Sequence, residues 1–212
     1  MGYIKKLEGK HLYLAVPKVE DAATYVKWLS DFDTTDGLGN SAMIMTVEAE
    51  EAWIQSMQGK TQFAIIRKED DTLIGNCGIQ EINQIRQCAE VGLFIGEEEN
   101  RGKGYGQEVL RLLLDFAFET LNLHNVMLRV FAFNERAIHT YQKVGFREFG
   151  RRRESYYAKG RFWDEIHMDI LKEEYLADRL KYKWMNEKRK IGNRRKRGKN
   201  HDSRYCTTPV SK

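Results

Sequence analysis

A short segment with glycine at every second position most constrains how this chain can fold. Residues 101–106 have the sequence RGKGYG and follow an apolar stretch, residues 88–96, at the start of an amphipathic one, residues 105–121. Glycine lets the backbone turn sharply and lets its N–H groups approach a ligand closely. The first N–H groups of a helix lack partners and carry partial positive charge. The segment therefore predicts a strand, a tight turn and a helix whose N-terminus can hold a pyrophosphate.

The spacing of these glycines excludes two common phosphate-binding motifs. The dinucleotide fingerprint is G-x-G-x-x-G within a parallel strand–helix–strand unit, and the Walker loop is G-x-x-x-x-G-K followed by Ser or Thr. In residues 101–106 the third glycine comes too early for the first motif, and Gly-Lys is followed by glycine rather than Ser or Thr. Taken alone, the segment leaves a glycine-rich turn without function as an alternative.

Hydrophobic periodicity predicts an α/β (α+β) chain. Apolar runs and alternation predict strands near residues 12–16, 61–67, 72–82, 88–96, 126–133, 146–157 and 160–171. Apolar spacings of three and four predict helices near residues 19–31, 46–57, 105–121, 134–144 and 173–190. We expect a polar loop at residues 33–40 and burial of residues 126–133 on both faces. The order predicts a mixed, mostly antiparallel central sheet of about seven strands with flanking helices.

Charge divides the chain into an acidic body and a basic tail. Residues 181–212 hold 12 Lys and Arg and two acidic residues, a net charge of +10, and because the whole chain carries +4, residues 1–180 carry −6. The length suits one domain with its own core. We expect that domain at residues 1–172, with a helix and a solvated basic tail at residues 173–212.

Cysteine and histidine usage indicates the compartment and argues against a metal site. The chain has three cysteines and five histidines, and none of them has metal-ligand spacing to another. We therefore predict no metal, no disulfide framework and a cytoplasmic location. No apolar run reaches 18 residues, so we predict no transmembrane helix and no membrane partner.

A second segment, about thirty residues after the first, carries a family resemblance. Residues 134–146 (NERAIHTYQKVGF) resemble the pattern N-x-x-A-x-x-x-Y-x-K-x-G-F of the GNAT superfamily of N-acetyltransferases. The RGKGYG segment is similar to that superfamily's Arg/Gln-x-x-Gly-x-Gly acetyl-coenzyme A loop. Residues 74–96 and 156–171 resemble its third and fourth strands and its closing hairpin, so the resemblance covers roughly residues 10–172.

Within the superfamily the chain resembles two branches. One contains the ribosomal-protein N-terminal acetyltransferases. The other contains the bacterial spermidine N-acetyltransferases, which similarly have the Glu-Ile-Asn turn found here at residues 81–83 and the Ala-Glu pair found here at residues 89–90. Both branches transfer an acetyl group to an amine, and they differ in the amine.

The resemblance implies acetyl-CoA as co-substrate, held in a V between the splayed strands 88–96 and 126–133. Its pantetheine arm is expected to pair with strand backbone and to be held by Asn134, and its pyrophosphate is expected on the glycine-rich loop. The implied cofactor-binding residues are Phe94, Ile95, Gly96, Arg101, Gly102, Lys103, Gly104, Tyr105, Gly106 and Asn134.

Three side chains are candidates for proton transfer. The resemblance implies that Tyr141 points its hydroxyl at the thioester sulfur. The pKa of a thiol, about 8.5, and that of tyrosine, about 10, are close enough for a proton to help the thiolate leave. An ammonium must lose a proton before it can attack, and Glu81 and Glu90 are candidate bases, directly or through water. A core tyrosine and exposed hairpin glutamates are the alternatives.

The acceptor stays open between two amine classes. The acidic body suits a polycation such as spermidine, and the basic tail suits a ribosomal location and a protein N-terminus. We favour a protein N-terminal or peptide amine, with a polyamine as the alternative, and Asp33 and Asp36 are candidate ligands for a cationic acceptor. A protein of another class, which binds RNA or the ribosome non-specifically through its tail, also stays open, as does a homodimer.

Overall fold

The computed structural model describes residues 2–179, and an eight-stranded sheet forms its centre. Seven of the strands match those expected from the sequence, and the α/β class is confirmed. The strands are β1 (Lys5–Glu8), β2 (Leu12–Ala15), β3 (Gln62–Arg67), β4 (Thr72–Asn83), β5 (Cys88–Ile95), β6 (Asn125–Phe131), β7 (Arg147–Ala158) and β8 (Arg161–Leu171). Their order is β1-β2-β3-β4-β5-β6-β8-β7, and neighbours are antiparallel except β5 and β6.

Helices flank the sheet. They are α1 (Ala22–Leu29), α2 (Phe32–Leu38), α3 (Val47–Ser56), α4 (Tyr105–Asp115) and α5 (Glu135–Val144). The predicted helix at 105–121 continues beyond α4 as a π-helical turn, Phe116–Thr120. Among residues 2–179 no helix is both long and apolar enough to cross a membrane.

The described residues fall into two compact units, one ending at Lys172 and the other beginning at Glu173. Residues 172–179 are helical, at the start of the helix predicted for residues 173–190. The rest of that helix and the basic tail lie outside the described residues.

The eighth strand, β1, is absent from the sequence prediction. Its sequence, KKLE, contains only one apolar residue, and three of its four residues are exposed. It forms because it is the outer strand of a hairpin with β2, closed by a hydrogen bond from the Gly9 N–H to the Leu12 carbonyl at 2.9 Å. Pairing with a buried neighbour, rather than side-chain pattern, makes this strand.

The segment at residues 33–40, expected as a polar loop, is largely the helix α2, so that prediction is wrong. Its sequence, FDTTDGL, is poor in helix formers. Capping interactions at its two ends determine where this helix begins and ends. The Asp31 carboxylate accepts hydrogen bonds from the Thr34 N–H at 3.0 Å and the Thr34 hydroxyl at 2.8 Å, and Gly39 ends the helix with φ of 76°. These are common N-terminal and C-terminal caps of a helix.

The centre of the sheet is buried on both faces, whereas β6 is buried on one. All four residues of β2 and the middle of β3 are buried, which requires cover from helices on both sides. In β6 the residues Val126, Leu128 and Val130 are buried, but Arg129 is exposed. The expected burial of residues 126–133 on both faces is therefore wrong, because one face of β6 borders a cavity.

The two parallel strands at the middle of the sheet separate along their length. Their register runs from Cys88 opposite Asn125 to Glu90 opposite Met127, and no later residues of β5 and β6 pair with each other. At this fork the Arg129 Nε donates to the Glu90 Oε1 at 2.9 Å. The Glu90 side chain is buried, and the hydrogen bond to it raises the pKa of Arg129. The ion pair therefore links both strands where they diverge.

We predict that Gly96→Ala destabilises the fold, because a Cβ at this position would overlap the indole ring of Trp28. Overpacking of this kind costs about 1–3 kcal/mol of unfolding free energy. Urea unfolding of the variant measures the loss. The matched control is Gly92→Ala on β5, where the nearest atom to the new methyl group is the Gln80 Nε2 at 4.0 Å. Equal midpoints for the two variants would contradict this prediction.

Candidate active site

A cavity of about 310 Å³ lies where β5 and β6 separate, and we call it the first cavity. Residues from β5, β6, α2, α5 and the glycine-rich loop line it. Eight of the ten predicted cofactor residues lie on it together with Tyr141: Phe94, Ile95, Arg101, Gly102, Gly104, Tyr105, Gly106 and Asn134. The other two, Gly96 and Lys103, do not line it.

The glycine-rich loop turns through two left-handed residues before α4 begins. Gly102 has φ of 75° and Gly104 has φ of 85°, and Gly104 is the N-cap of α4. An added Cβ at either position would contact nothing within 4 Å. Glycine is therefore needed at both for its backbone conformation. At Gly106 an added Cβ would have only ordinary contacts with protein atoms. The open loop leaves the first N–H groups of α4 accessible to an anion.

Arg101 points into the protein and fixes the loop to its surroundings. Its guanidinium donates to the Ile95 carbonyl at 3.0 Å, the Gly96 carbonyl at 2.8 Å and the Thr34 hydroxyl at 3.0 Å. These bonds join the end of β5 to α2. Arg101 thus positions the loop, while Lys103 is exposed to solvent.

Gly96 serves packing rather than the cavity. Its N–H donates to the Ile74 carbonyl at 2.9 Å, so this group already has a partner on β4. The Trp28 ring occupies the space where a side chain would be, and its Nε1 donates to Glu97 at 3.0 Å. Gly96 therefore lets α1 pack against the end of β5.

Asn134 and Tyr141 lie on the same helix and face the first cavity. The Asn134 side-chain oxygen caps α5 by accepting from the Ala137 N–H at 3.2 Å, which leaves its amide nitrogen for a ligand. The Tyr141 ring packs edge-on against Phe146, with 6.1 Å between ring centroids. Within residues 2–179 its hydroxyl makes no hydrogen bond, and burial raises the pKa of Tyr141 to about 12.

Neither predicted base lines the first cavity or the second cavity described below. Glu90 is held by Arg129, as described above. Glu81 is exposed at a bulge of β4 and has a left-handed φ of 52°. Of the two aspartates named for the acceptor, Asp33 lies on the first cavity, and Asp36 accepts a hydrogen bond from the Ser41 hydroxyl at 2.6 Å.

The first cavity has more cations than the sequence analysis recognised. Arg129, Arg136 and Lys143 line it, together with Arg101, against the single acid Asp33. A surplus of cations suits the phosphates of coenzyme A. Arg136 and Lys143 lie within the segment that carried the family resemblance, but that pattern does not specify which of its positions face the cavity.

A second cavity, of about 340 Å³, adjoins the first and is lined by α1, α3, β4, β5 and the segment after α2. Leu38, Leu93 and Phe94 line both cavities. Glu50 lies on the second one and is only 3% exposed. The sequence does not single out Glu50, because it is one of two acids in the first turn of α3. Only the structure shows that Glu50 is turned toward the sheet.

No group of three or more His, Cys, Asp or Glu side chains within residues 2–179 is arranged to hold a metal ion.

Comparisons with known proteins agree on one family. Residues 11–147 match the model of the acetyltransferase (GNAT) domain. The chain is similar to spermidine N(1)-acetyltransferase of Vibrio cholerae, with 36% identity over 112 residues, 53% of this chain and 64% of that protein, slightly less than two thirds. It is also similar to the uncharacterized N-acetyltransferase p20 of Bacillus licheniformis, with 32% identity over 178 residues, 81% of this chain and 99% of that protein.

A solved structure shares the fold. The crystal structure of spermidine N-acetyltransferase from Vibrio cholerae in complex with CoA and spermine matches with a TM-score of 0.71 and 27% identity, and the match covers 78% of this chain and 98% of that one. The domain match, the full-length relative and the shared fold lead to one conclusion: the chain belongs to the GNAT acetyltransferase family.

Proposed function

We propose that the protein transfers an acetyl group from acetyl-CoA to a primary amine by direct attack in a ternary complex. One observation carries this proposal: two cavities meet at Leu38, Leu93 and Phe94, beside the separated strands β5 and β6. The first cavity has the loop and the cations for the donor, and the second has room for an acceptor. Direct transfer needs both substrates side by side.

The residues of the first cavity fit acetyl-CoA. The unpaired edges of β5 and β6 offer backbone groups to the amides of the pantetheine arm, and buried backbone groups need such partners. The loop ending at Gly104 presents helix N–H groups to the pyrophosphate. Arg136 and Lys143 add positive charge for phosphate groups, and the Asn134 amide nitrogen can hold the arm.

The proposed reaction breaks one bond and forms one. The amine lone pair attacks the thioester carbonyl carbon, the C–N bond forms and the C–S bond breaks. Tyr141, whose hydroxyl is protonated at neutral pH, gives its proton to the leaving thiolate and regains one from solvent. The amine proton has to leave as well. Glu81 and Glu90 line neither cavity. Either residue would therefore accept the amine proton through an intervening water molecule.

The sequence left two classes of acceptor amine open. We favour a protein N-terminal or peptide amine, and polyamine acetylation is the alternative, supported by the similarity to spermidine acetyltransferases. Thiol release with peptides beginning in Ala or Ser, compared with spermidine, decides between them. If no amine is turned over although CoA binds, the proposed function fails.

We predict that Tyr141→Phe lowers kcat by roughly 100- to 10,000-fold, with little change in the KM for acetyl-CoA, because only proton donation is lost. Steady-state thiol release measures both constants. The matched control is Tyr157→Phe, an exposed tyrosine on β7 that should leave kcat unchanged. A loss below about threefold in Tyr141→Phe would remove this residue from the proposed mechanism.

We also predict the pH profile of kcat. A general acid must be protonated, so its contribution is lost only as pH rises through its pKa, which for Tyr141 is about 12. At saturating amine, kcat should therefore show no decline from Tyr141 between about pH 7 and about pH 10. Re-assay at neutral pH after incubation at each pH controls for unfolding. A decline in kcat with an apparent pKa of about 8–9 would contradict the assignment.

The basic tail is an accessory in this proposal. Removing residues 185–212 should leave kcat/KM for a small amine unchanged, because the cavities lie within residues 25–143. It should abolish any salt-sensitive affinity for RNA, since the tail holds most of the surplus positive charge. Thiol release and RNA gel shift at two salt concentrations measure the two effects. Loss of activity on a small amine after removal of the tail would contradict its accessory role.

A further inference from the structure

The second cavity contains one carboxylate without a partner. Glu50 is 3% exposed, and within residues 2–179 its carboxylate has no ion pair or hydrogen bond. Burial raises the pKa of Glu50, and no neighbouring cation lowers it. A buried charge without a partner is costly. This carboxylate is therefore prepared to receive a cation from outside the chain.

The position of Glu50 follows from local structure. Thr46 caps α3 by accepting from the Ala49 N–H at 3.2 Å, which fixes where the helix begins. One turn later, Ile54 packs into the cluster formed with Tyr25 and Trp28. Residues four apart share one face of a helix. Anchoring of Ile54 in the core therefore turns Glu50 toward the sheet and the cavity.

Other polar atoms around the cavity also lack partners. The Asn40 side-chain oxygen and the Asn76 side-chain nitrogen are buried without a hydrogen bond. The Tyr25 hydroxyl faces Asn76, but the two do not form a hydrogen bond of normal geometry. Native proteins leave few buried polar groups unpaired. Asn40, Asn76 and Tyr25 line the same cavity as Glu50 and add neutral polar side chains to its wall.

The rest of the described lining carries no further carboxylate and combines neutral polar side chains, Gln62 and Gln80 among them, with apolar ones. The walls include the side chains of Leu29, Leu38, Met43, Met45 and Trp53. Glu50 is the only charged side chain among the described lining residues. One carboxylate can neutralise one ammonium group, and a second ammonium group among these walls would lose water without gaining a second counter-charge.

We propose that Glu50 receives the ammonium group of the acceptor, and that the acceptor is a primary amine with one positive charge on an apolar or aromatic body. The inference rests on the proposed function, because it takes the second cavity as the acceptor side. A peptide N-terminus followed by an apolar side chain belongs to this class. Spermidine, with several charges along a flexible chain, does not.

The test measures binding apart from chemistry. Isothermal titration of the full chain, saturated with CoA, compares phenethylamine with spermidine and with 2-phenylethanol, the neutral analogue. We expect phenethylamine to bind roughly tenfold or more tightly than either one. Glu50→Gln should weaken phenethylamine binding by roughly 30-fold or more, because it removes one partner of a buried charge pair. The CoA affinity should not change.

The matched control is Glu48→Gln, an exposed acid in the same turn of α3, which should bind phenethylamine as the wild type does. Thermal unfolding separates binding from folding. Without ligand, Glu50→Gln should melt no lower than the wild type, because it replaces a buried unpaired charge by a neutral group. If the Glu50 carboxylate were needed for the fold, Glu50→Gln would melt at a lower temperature than the wild type.

Three results would overturn the inference: no phenethylamine binding, equal binding by wild type and Glu50→Gln, or tighter binding of spermidine. Thiol release with phenethylamine judges the proposed function separately. Binding that depends on Glu50 without acetyl transfer to phenethylamine, the peptides or spermidine would support the ammonium site and refute the proposed function.

Discussion

The separation of two neighbouring parallel strands is the constraint on which the site depends. After Glu90 and Met127 the strands β5 and β6 no longer pair, and each keeps one edge of unsatisfied backbone groups. Such groups need partners when buried. The Glu90–Arg129 ion pair links the strands at the fork, so the opening is part of the fold. A ligand with amide groups along its length can form hydrogen bonds with the backbone groups that β5 and β6 leave unpaired.

The two ends of the first cavity offer one ligand different kinds of interaction, backbone N–H groups at the loop and side chains at α5. At the loop, the left-handed Gly104 exposes the first N–H groups of α4, which attract an anion without any side chain. At α5, the Asn134 cap fixes where the helix begins and so fixes which face carries Tyr141. Arg101 joins the loop to the end of β5 and to α2. Positioning, rather than unusual reactivity, is the main contribution of this chain to the reaction.

The sequence predicted most of the donor side and little of the acceptor side. Gly104, Asn134 and Tyr141 belong to patterns tied to backbone geometry, and such geometry recurs wherever the pattern does. The helix α2 was missed because its caps, not its composition, determine it. Glu50 was missed because acids are common in any first helical turn. Only the packing of Ile54 decides that this acid faces inward, and packing between distant segments is not visible in a linear sequence.

Long-range charge and local burial have separate effects on the acceptor. Residues 1–180 carry a net charge of −6, which attracts any cation toward the protein. Screening limits that attraction to about 8 Å at physiological ionic strength, and it scarcely distinguishes one amine from another. Discrimination requires a place where water is excluded and unmatched charge is costly. Glu50 lies in such a place, so the number of charges on the amine is sensed there and not at the surface.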